Sequence, residues 1–402
     1  MTTFRPTTGG RLFDRGLFGP HVDEFRADIR AVLAKYVIPQ LEQAERDGLF
    51  PVAVLRDLGA AGVFRRRWNS SPYGDPGAGV VISQEAARLG VTGIAVGLSL
   101  HLETVASALI KFSTTPLLRE YADGVLDGRL VGCLGASEPA GGSDLAGITT
   151  RARRVVGGWH VTGEKKYLSL GLVCDFALIL ARIVDEDDAE GLLGLFAVPA
   201  SGLRVRKRHD KLGTSSLDTT WMVVDVVVGD DAVLARPGLG LLATTWALSH
   251  ERLAVAAQAC GGCAKAIGLA VAHLRRRTQF GSPLFEHQAL RLRLAELFSR
   301  LTVLEYSVYA AASGIPVAGS CGPRELAALK VTAARFAEEV MSECMHIFGG
   351  SGYLVDETPL ARMWRDARLA RLGAGSDEMM WELVAGGLIA DDEGYAESVD
   401  IG

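Results

Sequence analysis

The chain is poor in the features that would classify a protein at a glance. Its six cysteines are scattered over 402 residues, and only Cys260 and Cys263 fall in a CxxC spacing. No second pair completes a zinc site. The pair also lies in a long Ala/Gly-rich helical pattern, so core packing with reduced thiols is the expectation. An excess of one charge is missing too: 42 Lys and Arg against 47 Asp and Glu leave a net charge of −5, too little field to argue for nucleic acid. Two short basic runs, residues 64–67 and 204–208, are expected to be solvated faces. The apolar stretch at 253–260 is too short for a bilayer and is bounded by charge. The opening residues Met1 to Pro6 lack the apolar core of a signal peptide, so a cytoplasmic location is expected. No GxGxxG follows a strand and opens a helix, which argues against a Rossmann dinucleotide site. No internal repeat is visible.

What is present has a clear order. In the first third Val22, Phe25, Ile29, Val32 and Leu33 recur at helical spacing, and further helical patterns run through 80–89, 94–110 and 116–126. Near residue 130 the texture becomes short, β-rich and punctuated by Gly, Asp and Pro: 149–156, 159–161, 176–182, 194–198, 203–207 and 220–228. That texture predicts an antiparallel sandwich or barrel. Long helices return at 253–274, 288–313, 324–348 and 378–388. The fold class is therefore α+β, with a helical domain over 1–130, a β-domain over 131–240 and a helical domain over 241–402.

The densest polar constellation opens the β region, Ala136-Ser137-Glu138-Pro139-Ala140-Gly141-Gly142-Ser143-Asp144-Leu145. Gly, Pro and hydroxyl residues clustered between strands make a loop whose N–H groups can face an anion. A similar loop is expected at 163–169, Gly-Glu-Lys-Lys-Tyr-Leu-Ser. These two segments resemble the paired signatures of acyl-CoA dehydrogenases. The likeness continues through Arg277-Thr278-Gln279-Phe280-Gly281, Gln288, His346-Ile347-Phe348-Gly349-Gly350, Arg365-Asp366-Ala367-Arg368 and Gly375-Ser376-Asp377-Glu378. Six motifs in the right order carry it along nearly the whole chain.

The resemblance implies FAD bound between the β-domain and a C-terminal four-helix bundle, in a homo-oligomer (a dimer or tetramer) whose neighbouring subunit closes the site. It implies that Leu134 and Ser137 line the flavin ring, that Tyr167 flanks it and that Ser169 lies near its N5. It implies Arg277, Phe280, Gln288, His346, Gly349, Gly350, Ser376 and Glu378 for the rest of the dinucleotide, and Ser143 for the thioester carrier. The carrier would be coenzyme A or an acyl carrier protein, and the electrons would pass to an electron-transfer flavoprotein. The basic run at 204–208 is available to an acidic carrier. Arg outnumbers Lys 34 to 8, the bias of a GC-rich bacterial coding sequence.

Desaturation of a thioester needs a base for the α proton while the β hydrogen leaves as hydride. Many family members carry that base in a Tyr-Glu-Gly-Thr segment. Here the matching stretch is Gly373-Ala374-Gly375-Ser376, and Ala374 cannot act. A subset that includes the isovaleryl and long-chain enzymes places a glutamate before an arginine at the start of the helix after the β-domain. Glu251-Arg252 matches it, with Glu251 as base and Arg252 on the substrate side. The competing reading makes Glu251 only a first-turn acid, favoured by the helix dipole by under about 1 kcal/mol. His250 is a reserve base. His346 and Leu170 depart from the family's frequent Gln and Asn. An oxygen-using oxidase or monooxygenase of the same fold, and a non-catalytic flavin-binding protein, remain as alternatives.

Overall fold

Two helices of the first part start on side-chain caps. Asp75 and Thr115 each accept the N–H three residues on, from Ala78 at 3.0 Å and Leu118 at 3.3 Å. A proline follows each cap, with its fixed φ already suited to the first turn. The computed structural model describes residues 20–69, 71, 73–184, 191–235, 237–318 and 322–399, so Met1 to Pro6 lie outside the described residues. Its first part holds α1 (Pro20–Tyr36), α2 (Leu41–Asp47), α3 (Val52–Ala60), α4 (Val63–Arg67), α5 (Pro76–Ala87), α6 (Thr92–Ser99), α7 (Ala106–Phe112) and α8 (Pro116–Leu126). The helical pattern at 94–110 is not one uniform helix. A π-helical turn, Leu100–Val105, separates α6 from α7.

The solvated face expected at 64–67 holds only in part. Arg65 and Arg66 are exposed, but Arg67 is 1% exposed and bonds Glu103 through two contacts of 2.8 Å. Residue type gave no sign of this, because the burial comes from α5 and the π-turn closing over the end of α4.

The middle part holds β1 (Gly132–Gly135), β2 (Arg151–Val155), β3 (Gly158–Ser169), β4 (Phe176–Val184), β5 (Leu193–Pro199), β6 (Leu203–Arg208) and β7 (Thr219–Val228). They form one sheet in the order β1-β4-β2-β3-β7-β6, with β5 also on β4. The sheet is not antiparallel throughout: β1 and β2 both run parallel to β4. The intervening loop and the β2–β3 excursion give the chain length that a parallel return requires. β4 and β5 are buried along most of their length, which accounts for their nearly unbroken apolar runs.

The loop expected at 163–169 is instead the second half of β3, paired with β7 from Gly163 to Ser169. Its polar letters mislead because only Lys165 and Leu168 of this stretch are buried, and the bulge between them breaks the strand alternation. The register shifts between Lys166 and Leu168, and Tyr167 adopts φ 68 at that bulge. The run at 204–208 is β6, an exposed edge strand in which Arg206 pairs with Glu164 and Arg208 donates to the carbonyls of Asp47 and Gly48.

The last part holds α9 (Gly240–Arg276), the hairpin β8 (Thr278–Gln279) and β9 (Ser282–Pro283), α10 (Gln288–Ala318), α11 (Pro323–Ile347), α12 (Gly350–Tyr353), α13 (Leu360–Ala367), α14 (Asp377–Ala385) and α15 (Asp392–Ser398). α9, at 37 residues, is roughly 55 Å long and packs against α5, α10 and α11. The stretch at 253–260 is thus part of a helix that, like Thr92–Phe112, is long and apolar enough to cross a bilayer. Their most apolar windows are 67% and 83% buried inside the fold, respectively. Gly261 shows how closely α9 meets α5, since a Cβ there would lie 2.1 Å from the Gln84 carbonyl. Cys260 and Cys263 are fully buried, as their setting predicted, and burial pushes both thiols well above their ordinary range.

Candidate active site

The loop after β1 is fixed from beneath by one carboxylate. Glu138 accepts from the Thr149 N–H (2.7 Å) and hydroxyl (2.6 Å), the Thr150 N–H (2.8 Å) and the Lys165 ammonium (2.9 Å). Burial alone would raise this carboxyl, but the Thr149 and Thr150 bonds and the Lys165 charge outweigh it and hold it at about 2. Burial wins at Lys165, which falls to about 8 while donating also to the Ala136 carbonyl at 3.0 Å. The result is a rigid start for the loop carrying Ser137 and Ser143.

Above that anchor lies a cavity of about 1080 Å³ between the sheet, the π-turn and α9. Leu134, Ser137, Ser143, Tyr167, Ser169, Glu251, Arg252 and Ser376 all line it. Ala374 lines it too, with no acid to offer. Along α9 the cavity is faced by Leu241, Thr245, Leu248, Glu251, Val255, Ala259 and Gly262. That is one stripe at helical spacing.

Glu251 does not start its helix. α9 begins at Gly240, about three turns earlier, so the first-turn dipole reading fails. Its Oε2 accepts the Thr104 hydroxyl at 3.0 Å. Burial raises the Glu251 carboxyl above its ordinary value, and the Thr104 bond and the Arg252 and Lys330 charges only partly offset that. A carboxylate raised in this way is a stronger base than an ordinary glutamate and is suited to proton abstraction. Arg252 Nε donates to the Ala374 carbonyl at 3.1 Å, while its Nη1 is buried with no partner among the described residues. Lys330 Nζ donates to the next carbonyl, Gly375, at 2.5 Å, and burial lowers it to about 8. Two buried cations therefore hold successive carbonyls of a loop in which Ala374 has φ 55 and Gly375 φ 105.

His250 faces elsewhere. It packs edge-on against Trp68 and Trp246, with Nδ1 3.2 Å from Arg67, and burial with the Arg67 charge keeps it neutral well below its ordinary value. It lines no part of the cavity.

The other sequence-derived residues divide sharply. Arg277, Phe280, Gln288, His346, Gly349, Gly350 and Glu378 are exposed and do not line the cavity within this chain. Phe280 is 94% exposed at the tip of the β8–β9 hairpin, with φ 53. Sequence reasoning missed Thr104 and Lys330. Nothing in residue type marks Thr104. Lys330 had a signal: it is the one lysine on an otherwise apolar helical stripe of Leu326, Ala327, Val331 and Ala334.

Helical, β and helical parts around the cavity, with a half-buried glutamate lining it together with hydroxyl and aromatic residues of the sheet, define a dehydrogenase-type architecture. The chain belongs to the acyl-CoA dehydrogenase family. The models for its N-terminal domain, middle domain and C-terminal domain match residues 19–129, 133–227 and 238–389. The chain is 43% identical over 380 residues to the acyl-[acyl-carrier-protein] dehydrogenase MbtN of Mycolicibacterium paratuberculosis, covering 94% of this chain and 97% of that one. Butyryl-CoA dehydrogenase from Megasphaera elsdenii superposes with a TM-score of 0.86 at 25% identity, covering 94% and 100% of the two chains. A glutaryl-CoA dehydrogenase from Mycobacterium smegmatis, solved in complex with FADH2, shares the fold with a TM-score of 0.85 at 22% identity, covering 94% and 98%.

Proposed function

We propose that the protein is an FAD-dependent dehydrogenase that introduces an α,β double bond into an acyl thioester. The observation that carries this reading is Glu251, half-buried on the cavity wall with its carboxyl raised by desolvation, in a cavity where Ala374 has no acid to offer. The residues present fit a flavin: Leu134, Ser137, Tyr167 and Ser169 line the cavity together, and the Nε2 of His209, whose ring lies against Tyr167, is buried without a hydrogen-bond partner among the described residues. FAD, when bound, supplies the acceptor for the two electrons and the β hydrogen. Glu251 takes the α proton, the Thr104 hydroxyl orients it, and the Arg252 charge favours its ionised form. Ser143 meets the carrier arm.

The 43% identity to dehydrogenases named for acyl carrier protein favours a carrier-protein thioester over coenzyme A. The exposed positions of Arg277, Phe280, Gln288, His346, Gly349, Gly350 and Glu378 support a homotetramer or dimer in which a second copy brings them to the dinucleotide. An electron-transfer flavoprotein as acceptor and a cytoplasmic location complete the reading. Anaerobic titration of the flavin-loaded protein with a panel of acyl-CoA and acyl-carrier-protein thioesters tests it. Bleaching of the flavin absorbance by one of them is expected. A flavin that none of them reduces, yet that air reoxidises rapidly after chemical reduction, points to the oxidase or monooxygenase reading.

The stripe on α9 extends 11 residues, roughly 16 Å, from Glu251 to Gly262, where a Cβ would already meet the Met341 methyl at 3.3 Å. It supports a long acyl tail lying along the helix. Gly262→Phe is then expected to reduce kcat/KM for long thioesters by about ten-fold or more, since each excluded methylene is worth about 1–3 kcal/mol. Short thioesters keep their rate. A uniform loss at all chain lengths would place the tail elsewhere.

A further inference from the structure

Residues 103 and 104 on the π-turn meet residues 250 and 251 on α9 in register. Glu103 lies 3.9 Å from His250, and Thr104 bonds Glu251 at 3.0 Å. The first contact belongs to a buried cluster. Arg67 holds both oxygens of Glu103 at 2.8 Å and stacks its guanidinium 3.9 Å over Trp68. The second contact touches the candidate base. Adjacent positions on each element thus carry one buried link, Glu103 to His250 through the Arg67 guanidinium, and one direct contact at the cavity.

The turn between them is not ordinary α-helix. The Ala106 N–H bonds the His101 carbonyl five residues back. Carbonyls of the turn are taken by side chains instead: Leu102 by the Trp68 indole at 2.7 Å and Thr104 by the Ser107 hydroxyl at 3.1 Å. The wider turn changes which side chains share a face, because an extra residue per turn rotates the rest of the helix by about 100°. Trp68, next to Arg67, therefore ties the turn to the same cluster that fixes Glu103.

We infer that Thr104 is a positioning residue for the Glu251 base, held in place by the π-turn and its Arg67–Glu103–His250 lock, so that one carboxylate oxygen is occupied and the other faces the substrate. This rests on the reading of Glu251 as base. The other charges facing Glu251 are Arg252 on its own helix and Lys330 on α11, with Asp377 of α14 beyond Lys330. None of them donates a hydrogen bond to it among the described contacts, so Thr104 alone fixes the carboxylate plane. The hydroxyl bond favours the charged form. Its removal leaves more of the base protonated at a given pH.

The test compares Thr104→Val, Thr104→Ser and Glu251→Gln as flavin-loaded proteins. Each is mixed anaerobically with a thioester that reduces the wild type, across a range of pH. Thr104→Val is expected to move the acid limb of flavin bleaching to higher pH and to lower the rate at neutral pH roughly ten-fold, with KM nearly unchanged. Thr104→Ser restores both. The infrared band of a protonated buried carboxyl, absent from Glu251→Gln, should persist to higher pH in Thr104→Val; this needs no turnover. Should the valine variant not fold, Thr104→Ala reads the same quantities. A valine or alanine profile that superimposes on the wild type overturns the inference while Glu251 keeps its role. Full activity of Glu251→Gln overturns the reading beneath it, and the inference with it.

Discussion

Glu251→Gln is expected to slow thioester-driven bleaching of the flavin by about 10²–10⁴-fold while the cofactor stays bound. Glutamine has nearly the shape of glutamate and its carbonyl can still accept the Thr104 hydroxyl, so the loss isolates the missing base. Wild-type rate should rise with pH through the raised Glu251 value and then level, whereas the variant should show no such limb. Stability moves the other way. An acid whose folded value is raised binds more protons folded than unfolded, so it costs stability as pH climbs from its ordinary value through the folded one. At neutral pH the always-neutral glutamine escapes that cost, and Glu251→Gln should melt higher than wild type, as active-site substitutions often do. A variant that keeps full activity would remove Glu251 from catalysis. One that is inactive and also less stable would make it structural.

Glu103→Ala should destabilise the protein by about 3–5 kcal/mol, measured by chemical unfolding of the flavin-loaded form. It leaves the Arg67 guanidinium, 1% exposed, with only the Tyr73 carbonyl (3.0 Å) and His250 Nδ1 (3.2 Å) as described hydrogen-bond partners. An uncompensated buried cation, not the lost attraction, is the dominant cost. The double variant Arg67→Met with Glu103→Leu is therefore expected to recover most of the loss, since it removes both charges. Gly79 shows how tightly the pair is housed: a Cβ there would lie 2.6 Å from both Arg67 Nε and Glu103 Oε1. A single variant within about 0.5 kcal/mol of wild type would mean that water or relaxation reaches the site. A double variant as unstable as the single one would mean that shape matters there more than charge.

Periodicity alone determined the order of helical, β and helical parts, because apolar spacing of 3.6 or 2 is a local property that survives without knowing the partner. Ser137, Tyr167, Glu251, Arg252 and Ser376 came from the resemblance of their motifs to a family, not from periodicity, and the cavity brings these residues together. Ala374 in place of an acid, read beside Glu251, pointed to the base only through the motifs of that family. Where the sequence failed, the deciding contacts were distant in the chain. Residues 163–169 look like a loop because strand pairing with β7, 50 or more residues on, cannot be seen in their polarity. Arg67 looks solvated because Glu103 comes from another helix. The parallel pairs β1·β4 and β2·β4 depend on how the chain returns across the sheet. Thr104 is a threonine in an apolar helical run until a π-turn rotates it onto Glu251. Residue types set which groups are available, but burial and charge pairing are sums over neighbours from several elements, and only the packed tertiary structure supplies that sum.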